Sequence, residues 1–256
     1  MISISAIIIA KNEASTIARC INSLNFATEV IVVSDPSSTD DTSEIANKFG
    51  ARVIEQPWLG FGRQKQFATD QAKSDWIFSI DADEWVSVEL LNYLKKINNL
   101  NPRSVLFFSR RSYFLGAPVR FSGWSPDYVG RLFNRKYSHF SDDIVHEKLE
   151  NFTNSIKVPA NLKILHTPYP NRNTVNEKTF AYARLSASKL VQAKHPPKLL
   201  PIICLKTAFS GFKTMFLGLG ILDGLTGLRI ARMNMKYTFL KYSLHARLMK
   251  RKRRLV

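Results

Sequence analysis

The stretch Trp76-Ile77-Phe78-Ser79-Ile80-Asp81-Ala82-Asp83-Glu84-Trp85 decides the fold. A short apolar run with the character of a buried strand leads into two carboxylates one residue apart. Where a strand ends, alternate side chains still point the same way, so Asp81 and Asp83 are predicted to face one site while Ala82 faces the core. A hard divalent cation takes oxygen ligands of this kind and keeps positions open for substrate phosphate. The D-x-D triplet alone arises by chance about once in two chains of this composition, so its weight comes from its surroundings.

Working outward, short β-rich runs alternate with helical periodicity. Strands are expected at Ser3 to Ala10, Glu29 to Ser34, Arg52 to Glu55, Trp76 to Ile80 and Ser104 to Ser109. One helix is expected after Asn12, with Ile17, Ile21 and Leu24 on a face. A second opens at Thr39-Asp40, carries Ile45, Ala46 and Phe49, and stops at Gly50. A third covers Gly62 to Lys73, and a fourth Ser87 to Asn98, burying Leu90, Leu91, Leu94 and Ile97. Such a βαβ series implies an α/β fold with a mostly parallel central sheet and helices on both faces.

Ligands of these sheets bind at the carboxyl ends of the strands. Glu13 follows the first strand, Asp35 the second, and Asp81 and Asp83 the fourth. Each of the first two reads equally as a loop residue near a helix start, but together they converge on one edge. No G-x-G-x-x-G follows the first strand and no G-x-x-x-x-G-K-[ST] occurs, so neither a dinucleotide site nor a P-loop is supported. Phosphate is then left to a metal on Asp83, helped by Arg63 or Lys65, two residues that read alternatively as a solvated helix face.

With 256 residues, 45% of them hydrophobic, the chain suits one α/β domain plus an appendage. Cys20 and Cys204 have no metal-ligand spacing and suggest no disulfide framework, in keeping with a reducing compartment. The apolar start, Ile2 to Ala10, lacks a basic leader and a cleavage site, so it is expected to be the first strand of the mature chain and not a signal peptide. The net charge of +17 is concentrated at one end: from Lys198 onward thirteen Lys or Arg face the single acid Asp223, a net of +12. Lys206 and Lys213 interrupt the apolar run from Leu199 to Leu222, which argues against a membrane-spanning helix.

Between residues 110 and 170 the helical alternation stops. Leu115-Gly116-Ala117-Pro118 and Gly123-Trp124-Ser125-Pro126-Asp127 read as loops, Arg131-Leu132-Phe133 as a strand, and Asn161 to His166 as another. Asp142, Asp143 and Glu147 are candidates for a general base, and the Asp pair reads equally as a turn or a helix N-cap.

Taken in order, Ala6-Ile7-Ile8-Ile9-Ala10-Lys11-Asn12-Glu13, Asp35-Pro36-Ser37-Ser38-Thr39-Asp40-Asp41-Thr42, Gly60 to Gln66 and Asp75 to Glu84 resemble family 2 glycosyltransferases of the GT-A fold. Gly123 to Asp127, Arg131 to Phe133, Val145-His146-Glu147 and His166 narrow the resemblance to the bacterial lipopolysaccharide inner-core heptose β-1,4-glucosyltransferases. The resemblance implies an inverting, metal-dependent transfer of a hexose, glucose from UDP-glucose, onto heptose of a lipid-anchored acceptor; another cell-surface glycan is the alternative. It implies that Ala10, Glu13 and Asp35 bind the uridine half of the donor, and that Asp81 contacts the ribose or the metal; Lys65 is placed with the nucleotide sugar, near its diphosphate. Asp83 would hold the divalent cation, Mg2+ or Mn2+, with His166 completing the coordination. Glu147 would be the general base, with Trp124, Asp127 and His146 on the acceptor side; His146 reads equally as a structural residue.

Residues 1–195 are therefore expected to form the catalytic domain, split near 110 into nucleotide-sugar and acceptor halves, and 196–256 a basic amphipathic helical extension. Along Gly224 to Arg247, Arg229, Arg232, Lys236 and Arg247 line one stripe and Leu228, Ala231, Met235, Phe239 and Tyr242 its neighbour. That pattern suits an anionic membrane surface, and the lipid-anchored acceptor implied by the resemblance would place the protein on the cytoplasmic side of the bacterial inner membrane; the alternative is a helix packed on its own domain. A basic nucleic-acid-binding protein, suggested by Lys250 to Arg254, finds no recognised module, and a nucleotidyltransferase lacks its Gly-rich loop.

Overall fold

The structure, a computed structural model, describes residues 2–142 and 147–253, so Asp143 and His146 lie outside the described residues. In chain order the elements are β1 Ile4–Ala10, α1 Ile17–Asn22, β2 Glu29–Ser34, α2 Thr42–Lys48, β3 Arg52–Glu55, α3 Phe61–Asp70, β4 Trp76–Ser79, β5 Glu84–Val86 and α4 Val88–Leu94. There follow β6 Ser104–Phe114, β7 Ala117–Pro118, β8 Tyr128–Asn134, β9 His139–Phe140, β10 Leu149–Glu150, β11 Asn154–Lys157 and β12 Lys163–Tyr169. The chain ends in α5 Arg172–Gln192, α6 Leu200–Phe212 and α7 Leu225–Arg253, with a π-helical turn at Lys213–Leu217 and a 3-10 turn at Gly220–Asp223 between the last two.

Contacts divide the chain into two compact units, Met1–Arg111 with Pro126–His166, and Ser112–Ser125 with Thr167–Val256. The main sheet runs β3-β2-β1-β4-β8-β6-β12-β5. Its first four strands are parallel, as the βαβ series requires, and it continues through antiparallel pairings of β4 with β8, β8 with β6 and β12 with β5. The strand expected to end at Ser109 extends to Phe114, because Arg110 and its neighbours stay in the sheet as half-buried residues.

Period-two alternation builds both faces of the first unit. Ile4, Ala6, Ile8 and Ala10 of β1 pack with Ile17, Cys20 and Ile21 of α1 and Leu90 and Leu94 of α4. Ile7 and Ile9 turn the other way, onto Ala68 of α3 and Phe133 of β8. Burying a Leu, Ile or Phe side chain contributes about 1.5–3 kcal/mol, so this double-sided core fixes where the strand ends lie. α4 starts where Ser87, its N-cap, accepts a hydrogen bond from the Leu90 amide at 3.3 Å.

In the second unit α5 packs along α7, with Ser186 Oγ and Tyr237 Oη 2.9 Å apart and Lys236 Nζ donating to Asn176 Oδ1 at 2.7 Å. By contact, therefore, α5 and residues 112–125 group with the tail, a division unlike one drawn at 195. Asp223, the one acid of the tail, accepts from the amides of Arg120 and Phe121 at 3.0 Å and from Ser122 Oγ at 2.7 Å.

Candidate active site

At the carboxyl ends of β1 and β2 two loops are stitched together. Lys11 Nζ donates to Asp35 Oδ2 at 2.8 Å and to Ser37 Oγ at 2.7 Å, while Asp35 Oδ1 accepts from the Ser37 amide at 2.9 Å. Asn12, at φ 57°, accepts from the Thr39 amide at 2.8 Å, and the Glu13 amide donates to Thr42 Oγ1 at 2.8 Å. The Lys11 ammonium, followed by the Ser37 donors, holds the Asp35 carboxyl down at about 2. Ala10 is buried at the strand end, and Glu13 accepts from Thr16 Oγ1 at 2.8 Å. Ala10, Glu13 and Asp35 thus share one edge of the sheet.

The D-x-D triplet behaves differently from a strand continuation. β4 stops at Ser79, and the Glu84 amide donates to the Asp81 carbonyl at 2.9 Å, so Asp81-Ala82-Asp83 forms a turn into β5. Ala82 faces the core as predicted, but the two carboxylates take different partners. Asp81 Oδ1 accepts from Lys65 Nζ at 2.9 Å and Asp81 Oδ2 from Arg131 Nη2 at 2.6 Å. Burial pushes the Asp81 carboxyl up, but Arg131 and Lys65 outweigh it and hold it well below the ordinary value.

From Asp81 an alternating chain of charge extends in both directions. Lys65 Nζ also donates to Glu147 Oε1 at 2.7 Å. Arg131 Nη2 donates to Glu84 Oε2 at 2.6 Å, Arg110 Nη1 to Glu84 Oε1 at 3.0 Å, and Arg110 Nε to Asp127 Oδ2 at 2.8 Å. The order is Glu147, Lys65, Asp81, Arg131, Glu84, Arg110, Asp127, four anions interleaved with three cations. Burial opposes the charge on Arg131, yet Asp81 and Glu84 raise its pKa above the ordinary value. Beneath them, burial first and then Glu84, Asp81 and Asp83 push the Cys20 thiol up, so it stays neutral.

Asp83 lies beside His166, with Oδ2 3.4 Å from Nε2. The pairing of β5 with β12 explains this, since His166 stands opposite Glu84, the residue after Asp83. One carboxylate and one imidazole are donors that Mn2+ accepts together, and Mg2+ accepts the oxygen while keeping water and phosphate in its other positions. Among the described residues no group of three His, Cys, Asp or Glu side chains is poised to hold a metal ion. In donor chemistry the Asp83 and His166 pair fits a divalent cation.

The remaining residues sort themselves by contact. Lys65 is buried and doubly paired, which excludes the solvated helix face, whereas Arg63 is exposed and meets the still more exposed Asp142 at 3.4 Å. Of the two proposed bases among the described residues, the structure joins Glu147 to the D-x-D turn, and Asp142 pairs with Arg63 instead. Trp124 belongs to the second unit, where its ring packs against Phe114 and Tyr169 at 6.1 and 6.0 Å. Sequence reasoning missed Glu84, Arg131 and Arg110 as site residues. A signal was present: an Arg opening the apolar run Arg131-Leu132-Phe133 is rarely buried without an anionic partner.

Residues 5–155 match the family model described as glycosyl transferase family 2. The chain belongs to that family. Its GT-A type α/β fold and its role as a glycosyltransferase go with that membership. An uncharacterized glycosyltransferase of Rickettsia prowazekii is 33% identical over 200 residues, covering 74% of this chain and 68% of that one. A counterpart in Rickettsia conorii is 38% identical over 146 residues, and the alignment spans only 51% of its length. The lipopolysaccharide core biosynthesis glycosyltransferase LpsC of Rhizobium meliloti is 33% identical over 132 residues, 49% of this chain and 47% of that one. Among solved structures, Staphylococcus aureus TarS 1-349 in complex with UDP-GlcNAc aligns over 99% of this chain and 92% of that one, with a TM-score of 0.47 and 14% identity.

Proposed function

We propose that the protein is an inverting hexosyltransferase that moves glucose from UDP-glucose to a heptose of the lipopolysaccharide or lipooligosaccharide inner core. Its acceptor is lipid-anchored, and the enzyme works peripherally at the cytoplasmic face of the inner membrane. Family membership supports a glycosyl donor, and the similarity to LpsC supports the acceptor class. The observation that carries the reading is the Lys65 bridge. One buried ammonium lies 2.9 Å from the D-x-D carboxylate Asp81 and 2.7 Å from Glu147, so the donor side and the base side share one anchor.

In this reading Ala10, Glu13 and Asp35 receive the uridine. Asp81 receives the ribose hydroxyls, since carboxylate oxygens retain lone pairs beyond those that Lys65 and Arg131 occupy. Asp83 and His166 would hold the divalent cation, which would neutralise charge developing on the diphosphate. The acceptor oxygen attacks the anomeric carbon from the face opposite the diphosphate, and its proton passes to Glu147. The bond from that carbon to the diphosphate oxygen breaks, its electron pair leaves with UDP, and the configuration inverts. Only one carboxylate is needed at the sugar, unlike the pair in a glycosidase. Lys65 orients Glu147, and Trp124, Asp127 and His146 serve the acceptor.

The test is a donor screen with several nucleotide sugars and a heptose-bearing core oligosaccharide, with Mg2+ or Mn2+ present. A β-linked glucose formed from UDP-glucose is expected. A product that retains the donor's configuration, or transfer from none of the sugars, overturns the reading.

A further inference from the structure

We propose that the second unit docks on an anionic lipid bilayer through an exposed apolar ridge on α6 and the turn after it, with α6 lying in the plane of the interface. Ile202, Leu205, Phe209, Phe212 and Phe216 recur at intervals of three and four residues, which aligns them on one helical stripe. All five are exposed, from 41% for Ile202 to 71% for Leu205. The three rings pack against one another along the ridge, with centroids 6.4 and 4.9 Å apart. Leu217, Leu222 and Leu225 extend the apolar surface around the turn, each more than 60% exposed.

The opposite side of α6 is already satisfied. Ile203, Gly211 and Thr214 are buried, and a Cβ on Gly211 would meet Met235 Sδ of α7 at 2.6 Å. Thr214 Oγ1 accepts from Asn234 Nδ2 at 2.9 Å. The ridge is therefore the outer face of a packed helix. The stripe of α7 that the sequence pointed to is partly spent inside the unit, since Ala231 is buried and Met235 covers Gly211, while Leu228 and Phe239 stay exposed.

Charge selects the occupant. Lys206 and Lys213 are exposed beside the ridge, Arg229, Arg232 and Lys236 are exposed on α7, and the segment from Lys198 carries a net +12. Two copies meeting through this surface would bring like charges together, whereas an anionic headgroup layer complements them. By length and composition, Leu200–Leu217 passes for a membrane-crossing helix, with mean hydropathy 1.3 and 17% of it buried. Spanning would place Lys206 and Lys213 in hydrocarbon and draw in the basic helix packed alongside. Lying flat puts the ridge into the acyl boundary and lets both lysine stems reach the headgroups.

Docking of this kind deepens the lipid-anchored reading above, on which it rests for the identity of the membrane. Vesicle binding is measured without donor or acceptor, so it succeeds or fails separately from transfer. Cys204 is exposed on α6 and Cys20 is buried, so the native chain has one thiol open to an environment-sensitive fluorophore. On phosphatidylcholine vesicles containing phosphatidylglycerol, the protein should float and the label's emission should shift blue. Phe209→Glu with Phe212→Glu should cut partitioning at least about tenfold with an unchanged Tm. Lys206→Glu with Lys213→Glu should abolish the preference for anionic vesicles and its decline with salt. Absence of flotation, or equal salt-independent binding to pure phosphatidylcholine, overturns the proposal. A lipid-free dimer that the double Phe variant converts to monomer also overturns it, by assigning the ridge to a second copy. If that variant loses its fold, the fluorophore shift on the wild-type chain decides.

Discussion

In the first unit, charged side chains are drawn together and paired end to end beside a double-sided apolar core; in the second, lysines and arginines stand in solvent next to large apolar side chains that are equally exposed. The contrast shows two uses of the same residue types. Buried pairing is weak evidence for stability, because desolvation offsets much of the attraction, but it fixes geometry. Exposed apolar surface contributes nothing to the fold of an isolated chain and marks where the chain meets something else.

The largest effect expected within the first unit is that of Asp83→Ala. Transfer should fall by at least about a thousandfold, since a cation supplies several kcal/mol of charge stabilisation. Metal-dependent UDP binding should vanish while the Tm stays close to wild type, because Asp83 sits in a turn at the end of a strand. Calorimetric titration of UDP with and without Mn2+ checks this, and normal metal-dependent affinity would remove Asp83 from the site.

Glu147→Gln should keep donor binding and lose about 10²–10⁴ in turnover, because the amide keeps the shape but accepts no proton. Asp142→Asn, at an exposed residue whose partner among the described residues is Arg63, should leave turnover nearly unchanged. The opposite ranking would move the base out of the charge chain and break the comparison at its centre.

Arg131→Met tests the chain as structure. Removing one cation leaves Asp81 with Lys65 alone and Glu84 with Arg110 alone, and taking one partner out of a buried pair costs about 3–5 kcal/mol. Urea unfolding should report that loss. A neutral effect would mean that the chain is solvated more like the tail.

The smallest effect is a pH dependence. The Asp35 carboxyl is held at about 2, against 3.8 ordinarily, so the stabilisation it provides is fully present above about pH 4 and is lost as pH falls towards 2. The difference in Tm between wild type and Asp35→Asn should therefore shrink over that window. A constant difference would place the benefit of Asp35 in its hydrogen bonds to Ser37 and not in its charge.

The parallel half of the fold was legible because period-two and helical patterns state it directly: β2 and β3 fall on the residues expected. Beyond residue 104 the antiparallel pairings depend on long-range register, which no local pattern encodes. In the site, Asp35, Lys65, Asp81 and Asp83 were legible from their places after strands or at the head of a helix. Glu84, Arg110 and Arg131 were not, because their significance lies in one another and their partners stand 26 and 47 positions apart along the chain. The α6 ridge was hidden for a similar reason. Its apolar run was plain in the sequence, but which side of it another helix would cover was not.

The alternation of the charge chain constrains how this enzyme can diverge. Every interior member, from Lys65 through Asp81, Arg131 and Glu84 to Arg110, touches an opposite charge on each side, so neutralising one takes a partner from two neighbours. Lineages should replace these residues in coordinated pairs or not at all, with Glu84 and Arg131 lost together and Asp127 drifting more freely at the end of the line. If Asp127 serves the acceptor as proposed, a new substrate preference can arise at that end without dismantling the rest.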